Sequence, residues 1–85
     1  MGELTKLPNI GKAMEEQLIA VGVESEDQLK ELGSRQAWLR IKAIDDSACY
    51  NRLCALEGAV RGIRWHDLPA EVKADLKEFY HSFKG

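Results

Sequence analysis

The sequence predicts an all-α protein, a compact bundle of about five short helices in a single domain. Three observations predict it. Apolar residues recur at three- and four-residue spacings, and no segment alternates apolar with polar as a strand would. Gly, Ser and Pro fall where those apolar stripes stop and start. The chain has 85 residues, enough for one small core and not for two.

The first long helix is predicted from about Gly11 to Val21, with Ile10, Met14, Leu18 and Val21 forming one apolar stripe. Gly22 then stands where a left-handed residue ends a helix, and Val23 is placed to pack back on Leu18. Ser25 with Gln28 makes a capping-box pattern for a second helix, whose apolar contacts are Leu29 and Leu32 and whose end is Gly33. Ser34 is read as the cap of a third helix, in which Ala37, Ile41 and Ile44 share a face beside Trp38. Asp45, Asp46 and Ser47 form a polar cluster suited to starting a fourth helix, where their charge favours the helix dipole.

That fourth helix, roughly Ser47 to Arg61, carries the stripe Cys49, Leu53, Leu56, Val60 and Ile63. Another side holds only small residues, Ala55, Gly58, Ala59 and Gly62. A glycine inside a helix costs about 1 kcal/mol relative to alanine, so a second helix is expected to cross this surface closely. Glu57 and Arg61 are spaced to pair along the helix. After a turn through Trp65 and His66, Pro69 fits the start of a last helix. Its stripe is Val72, Leu76, Phe79 and Phe83, with Tyr80 alongside.

Composition sets the class of function. With 45% hydrophobic and 31% charged residues, the chain reads as an ordinary globular protein. No apolar run approaches the roughly 20 residues that span a bilayer, and the opening residues do not resemble a signal peptide. The expected compartment is the cytoplasm, and no membrane partner is expected. Cys49 and Cys54 point to different sides of a helix, which is poor disulfide geometry, and both are expected as buried, reduced thiols.

Net charge is −2, but it is unevenly spread. Residues 1–32 carry three lysines against seven acids, whereas residues 33–66 carry six cations (Arg35, Arg40, Lys42, Arg52, Arg61, Arg64) against three acids.

Catalysis has little support. Ser25, Ser34 and Ser47 read as helix caps, and neither His66 nor His81 has a partner at relay spacing. Gly11-Lys12 lacks the other residues of a phosphate-binding loop. No enzyme, no metal site, no cofactor and no small-molecule substrate are expected. Two binding surfaces remain. Arg35, Arg40 and Lys42 surround Trp38, a residue type enriched at interface hot spots, and this group is the protein-contact candidate. The segment Leu7-Pro8-Asn9-Ile10-Gly11-Lys12 is similar to the hairpin of helix-hairpin-helix modules, in which backbone N–H groups hold a DNA phosphate without reading sequence. Here Asn9 replaces the first glycine of the turn and tolerates its left-handed geometry. Lys6, Asn9, Ile10, Gly11 and Lys12 are therefore the phosphate candidates.

The chain as a whole resembles the C-terminal domain of the TfoX/Sxy family of bacterial competence regulators. The resemblance runs from Leu7 to about Leu76, through Val21-Gly22-Val23, Leu32-Gly33 and Ile41-Lys42. Its most specific part is the run Leu53, Ala55-Leu56-Glu57-Gly58-Ala59, Arg61-Gly62, Trp65 and Leu68-Pro69. It implies a helical domain related to helix-hairpin-helix folds, with SAM-like orthogonal packing. It also implies a regulatory role in DNA-uptake gene expression, beside a transcription factor of the cyclic-AMP receptor type. The leading expectation is a non-catalytic regulatory module making a protein–protein contact. Sequence-independent binding of duplex DNA through the hairpin is the alternative, placed second because phosphate contacts dominate DNA affinity and this chain has few cations to make them.

Overall fold

A computed structural model describes residues 4–82, and Phe83 of the last apolar stripe lies outside them. Among the described residues there are five α-helices and no strand: α1 (Lys12–Ala20), α2 (Glu26–Leu32), α3 (Ser34–Ile44), α4 (Tyr50–Arg61) and α5 (Ala70–Ser82). Two short 3-10 turns, Leu4–Lys6 and Trp65–Asp67, precede α1 and α5. The all-α expectation holds.

Helix ends follow local chemistry. Gly22 takes φ +91° after α1, and the N–H groups of Gly22 and Val23 donate to the carbonyls of Ile19 and Leu18 at 3.0 and 2.8 Å. This is the Schellman pattern, and it drives Val23 into the core at 1% exposure. Ser25 caps α2 by accepting from the Gln28 N–H at 3.1 Å. Gln28 reaches back in turn, but to the N–H of Glu24.

The central pair is α3 on α4. Ala37, Trp38 and Ile41 of α3 and Leu53, Cys54, Leu56 and Ala59 of α4 are all fully buried, with Leu18, Leu29 and Leu76 closing the core from α1, α2 and α5. Trp38 is the largest of them. Its Nε1 donates to the Cys49 carbonyl at 3.1 Å, and Phe79 and Tyr80 meet its ring edge-on at 6.0 and 5.7 Å.

Several expectations are corrected. Ser34 is the first residue of α3, not its cap, and its buried hydroxyl donates to Glu57 across the α3–α4 contact. α4 begins at Tyr50, because Asp45 is used elsewhere. One Asp45 carboxylate oxygen accepts from the N–H and hydroxyl of Ser47; the other accepts from Gln17 at 2.7 Å and Arg52 at 2.9 Å. Cys49 lies ahead of the helix and is exposed, so only Cys54 is a buried thiol. Ile44 is 59% exposed, since it lies at the last turn of α3, beyond the reach of the core. Trp65, which the following Leu68 and Pro69 suggest as a core residue, is only half-buried, with His66 stacked 4.0 Å from it.

Candidate functional site

The Leu7–Lys12 hairpin is built from the inside outward. Leu7 and Ile10 are buried and anchor its two ends. Asn9 occupies the left-handed region at φ +70°, as its replacement of a glycine requires. Its side chain is fully engaged. Nδ2 donates to the carbonyls of Ala55 and Ile63 at 3.3 and 3.1 Å, and Oδ1 accepts from the Trp65 N–H at 3.2 Å.

Gly58 exists for this contact. A Cβ there would stand 2.5 Å from Asn9 Nδ2 and 2.7 Å from the Ile63 carbonyl oxygen. The close neighbour of the small-residue surface is therefore the hairpin amide and the turn after α4, in place of the crossing helix that the sequence suggested. Burial of Asn9 Nδ2 against α4 needs the missing side chain of Gly58 as much as the turn needs Asn9.

Beyond this anchor the hairpin opens to solvent. Gly11 is the residue before α1, in extended conformation, and no side chain caps it. Gly11 and Lys12 are exposed, as is Lys6 at the end of the first 3-10 turn. Glu15, which would oppose an anion here, is buried at 8% exposure and turned onto that 3-10 turn, accepting from the N–H groups of Leu4 and Thr5 at 3.1 and 3.3 Å. Of the five phosphate candidates, Gly11, Lys12 and Lys6 face water, whereas Ile10 belongs to the core and the Asn9 side chain to the fold.

The second candidate group divides. Trp38 is 0% exposed and offers no surface to a partner; the interface expectation for its ring is corrected to a core role. Arg40 lies on a different side of α3, where its guanidinium donates to the Val21 carbonyl at 3.2 Å. Arg35 and Lys42 remain together. They are seven residues apart, on one side of the helix, and each sits over an aromatic ring of the α3–α5 contact. Arg35 Cζ is 5.7 Å from the Phe79 ring centre and Lys42 Nζ is 5.6 Å from that of Trp38. Leu39, half-buried, stands between them at the i+4 position of the same stripe. Sequence reasoning passed over Leu39 and read Phe79 only as part of the last apolar stripe, although the Arg35–Leu39–Lys42 spacing of four and three was available to it.

Electrostatics around α4 are structural. Burial works against the charge of Glu57, but the Ser34 hydroxyl and the Arg61 guanidinium outweigh it and hold the carboxyl below the usual glutamate range. The Asp45 carboxyl lies far below its usual value, through Ser47 first and Arg52 next. Burial, with Cys54 beside it, pushes the Tyr50 phenol up to about 12. Its hydroxyl donates to the Lys73 carbonyl at 3.0 Å and ties α4 to α5. Among the described residues, no group of three His, Cys, Asp or Glu side chains could hold a metal, and no helix is long and apolar enough to cross a membrane.

Comparison with known proteins places this arrangement. Protein Sxy of Escherichia coli (strain K12) is 33% identical over 79 residues, covering 93% of this chain. The chain spans only 38% of the length of that relative. The triclinic crystal structure of an uncharacterized protein from Listeria monocytogenes superposes with a TM-score of 0.95 at 50% identity, covering 96% of this chain and 93% of that one. A tetragonal form of a Listeria monocytogenes protein of unknown function gives 0.93 at 49% identity, covering 95% and 99%. The sequence pattern of the TfoX C-terminal domain matches residues 1–80, which takes in the hairpin, the Asn9–Gly58 contact and all but the last two residues of α5. The chain thus belongs to the TfoX C-terminal domain family.

Proposed function

We propose that this domain is a non-catalytic regulatory module that acts in the control of competence and DNA uptake through contact with a protein partner. Membership of the TfoX C-terminal domain family over residues 1–80 carries the reading. A transcription factor of the cyclic-AMP receptor type is the proposed partner class. The proposed contact face is the outer side of α3 where it meets α5, with Arg35 and Lys42 as its charged residues. Structural contacts of three polar side chains support the non-catalytic part of the reading. Ser25 and Ser34 make the cap and the Glu57 contact, and His66 stacks on Trp65.

The test is genetic. In a strain lacking the gene, transcripts of DNA-uptake genes are measured after complementation with the wild type or with Arg35→Glu/Lys42→Glu. The wild type should restore them, while the charge-reversed protein, present at equal level, should leave them about tenfold lower, as loss of roughly 1.4 kcal/mol of contact would. Equal restoration by both would remove the contact face from the proposal. An unaltered transcript level in the deletion strain would remove the regulatory role itself.

A second reading, sequence-independent binding of duplex DNA through the hairpin, is favoured by one observation. The N-terminus of α1 is exposed and uncapped at Gly11 and Lys12, and backbone N–H groups in that position favour a phosphate. Titration of isotope-labelled protein with a short duplex at low salt tests it. Amide shifts confined to Lys6–Ala13 and abolished by added salt would support this reading, and their absence at millimolar DNA would end it.

A further inference from the structure

Arg35, Leu39 and Lys42 form a stripe along one side of α3, at offsets of four and three, so the Cα atoms of the two cationic residues stand about 10 Å apart along the helix axis. The apolar residue between them is half-buried, as is Phe79 of α5 against which Arg35 lies. Neither cation belongs to the three close ion pairs found among the described residues, Lys30–Glu26, Arg52–Asp45 and Arg61–Glu57, although Arg35 acts at longer range on the Glu57 carboxylate. Both are instead held over aromatic rings, with Lys42 only half-exposed. Ordering long cationic side chains over rings reduces the entropy a partner must take from them on binding. The stripe therefore presents a pattern of positive, apolar, positive with about two helical turns between its charged residues.

We propose that this stripe seats an acidic amphipathic helix, with carboxylates seven residues apart and an apolar side chain between them that packs on Leu39. The occupant follows from charge complementarity and register. Carboxylates at i and i+7 of a helix have the same axial separation as Arg35 and Lys42, and an apolar residue at i+3 or i+4 falls opposite Leu39. A basic helix or a nucleic-acid backbone fails one half of the pattern, the first through charge and the second through the apolar centre. This inference rests on the protein-contact reading above and adds the chemistry of the partner.

The test uses the whole labelled protein and a synthetic helix bearing glutamates seven residues apart with leucine between them. A second peptide has lysine in place of glutamate. The glutamate peptide should give saturable amide shifts within Arg35–Lys42 and Ala74–Ser82. Its Kd should weaken about tenfold with Arg35→Gln/Lys42→Gln, a variant whose remaining spectrum reports its fold, and should weaken further with salt. No shifts, shifts elsewhere, unaltered binding by the variant, or equal binding of the lysine peptide would each overturn the proposal. The genetic assay separates the two levels. Transcript loss with Arg35→Glu/Lys42→Glu but no binding of the glutamate peptide would discard the acidic helix and keep the protein contact.

Discussion

The side chain of Asn9 bonds the backbone of Ile63 across 54 residues of sequence, Nδ2 donating to that carbonyl at 3.1 Å. With the bonds to Ala55 and Trp65, it fixes the N-terminal hairpin to the end of α4. Asn9→Ala removes all three and puts a Cβ-bearing residue without local hydrogen bonding at φ +70°. Each neutral bond contributes about 1 kcal/mol and left-handed geometry costs a similar amount. A loss of about 2–4 kcal/mol in urea denaturation is expected. Asn9→Gly should be milder by about 1 kcal/mol, since it keeps the turn and loses only the bonds.

Gly58→Ala should destabilise by about 2 kcal/mol or more although alanine is the better helix former by about 1 kcal/mol. The new methyl would meet Asn9 Nδ2 at 2.5 Å and the Ile63 carbonyl at 2.7 Å. Because the two positions share one contact, Asn9→Ala and Gly58→Ala together should cost less than the sum of their separate effects. Strict additivity in a double-mutant cycle would show that Gly58 is constrained by the Ile63 backbone alone.

Stability should decline in acid. The carboxyls of Asp45 and Glu57 titrate lower in the folded chain than in the unfolded one. Their contribution is therefore complete above the unfolded carboxylate value and is lost as pH falls through the folded values. Thermal unfolding followed from about pH 6 to about pH 2 should show Tm falling. Asp45→Asn, which removes the charge facing Arg52 at 2.9 Å, should start lower at neutral pH and fall less steeply.

Tyr50 contributes to an alkaline limb. Its folded value of about 12 exceeds the usual 10.0, so its contribution is present below the unfolded value and is lost as pH rises through the folded one. Ultraviolet titration of the phenolates should resolve one late tyrosine, and Tyr50→Phe should abolish it. That substitution also deletes the bond to the Lys73 carbonyl, at about 1 kcal/mol.

What the sequence made legible was whatever depends on neighbours within a helical turn or two. The Leu18–Gly22–Val23 stop is written in nearby residues, as is the Ser25–Gln28 cap, and both stand as read except that Gln28 accepts from the Glu24 N–H and not from that of Ser25. Burial across elements was not legible. Trp38 lies among cations in sequence, yet helix periodicity alone cannot say that Phe79 and Tyr80 of α5 will close over it. Asn9 was read for its backbone conformation, correctly, while its side-chain partners lie 46 to 56 positions away. Gly58 announced a close contact, but a glycine says only that something approaches and not what. Asp45 looked like a helix start for the same reason. Its local pattern is a capping one, but its second oxygen is claimed by Gln17 of α1, 28 residues away, and by Arg52, already inside α4.

The Asn9 contact also orders the events of folding. α3 and α4 are nearly adjacent in sequence and close a short loop, whereas the Asn9–Trp65 bond encloses most of the chain and meets the larger closure entropy. The hairpin should therefore dock after the α3–α4 pair has formed and release before it separates. Native-state amide exchange should then find Trp65 N–H exchanging through an opening of lower free energy than Leu53 or Leu56. A latch that opens alone would let the N-terminal turn leave its seat on Gly58 while the core around Trp38 stays closed.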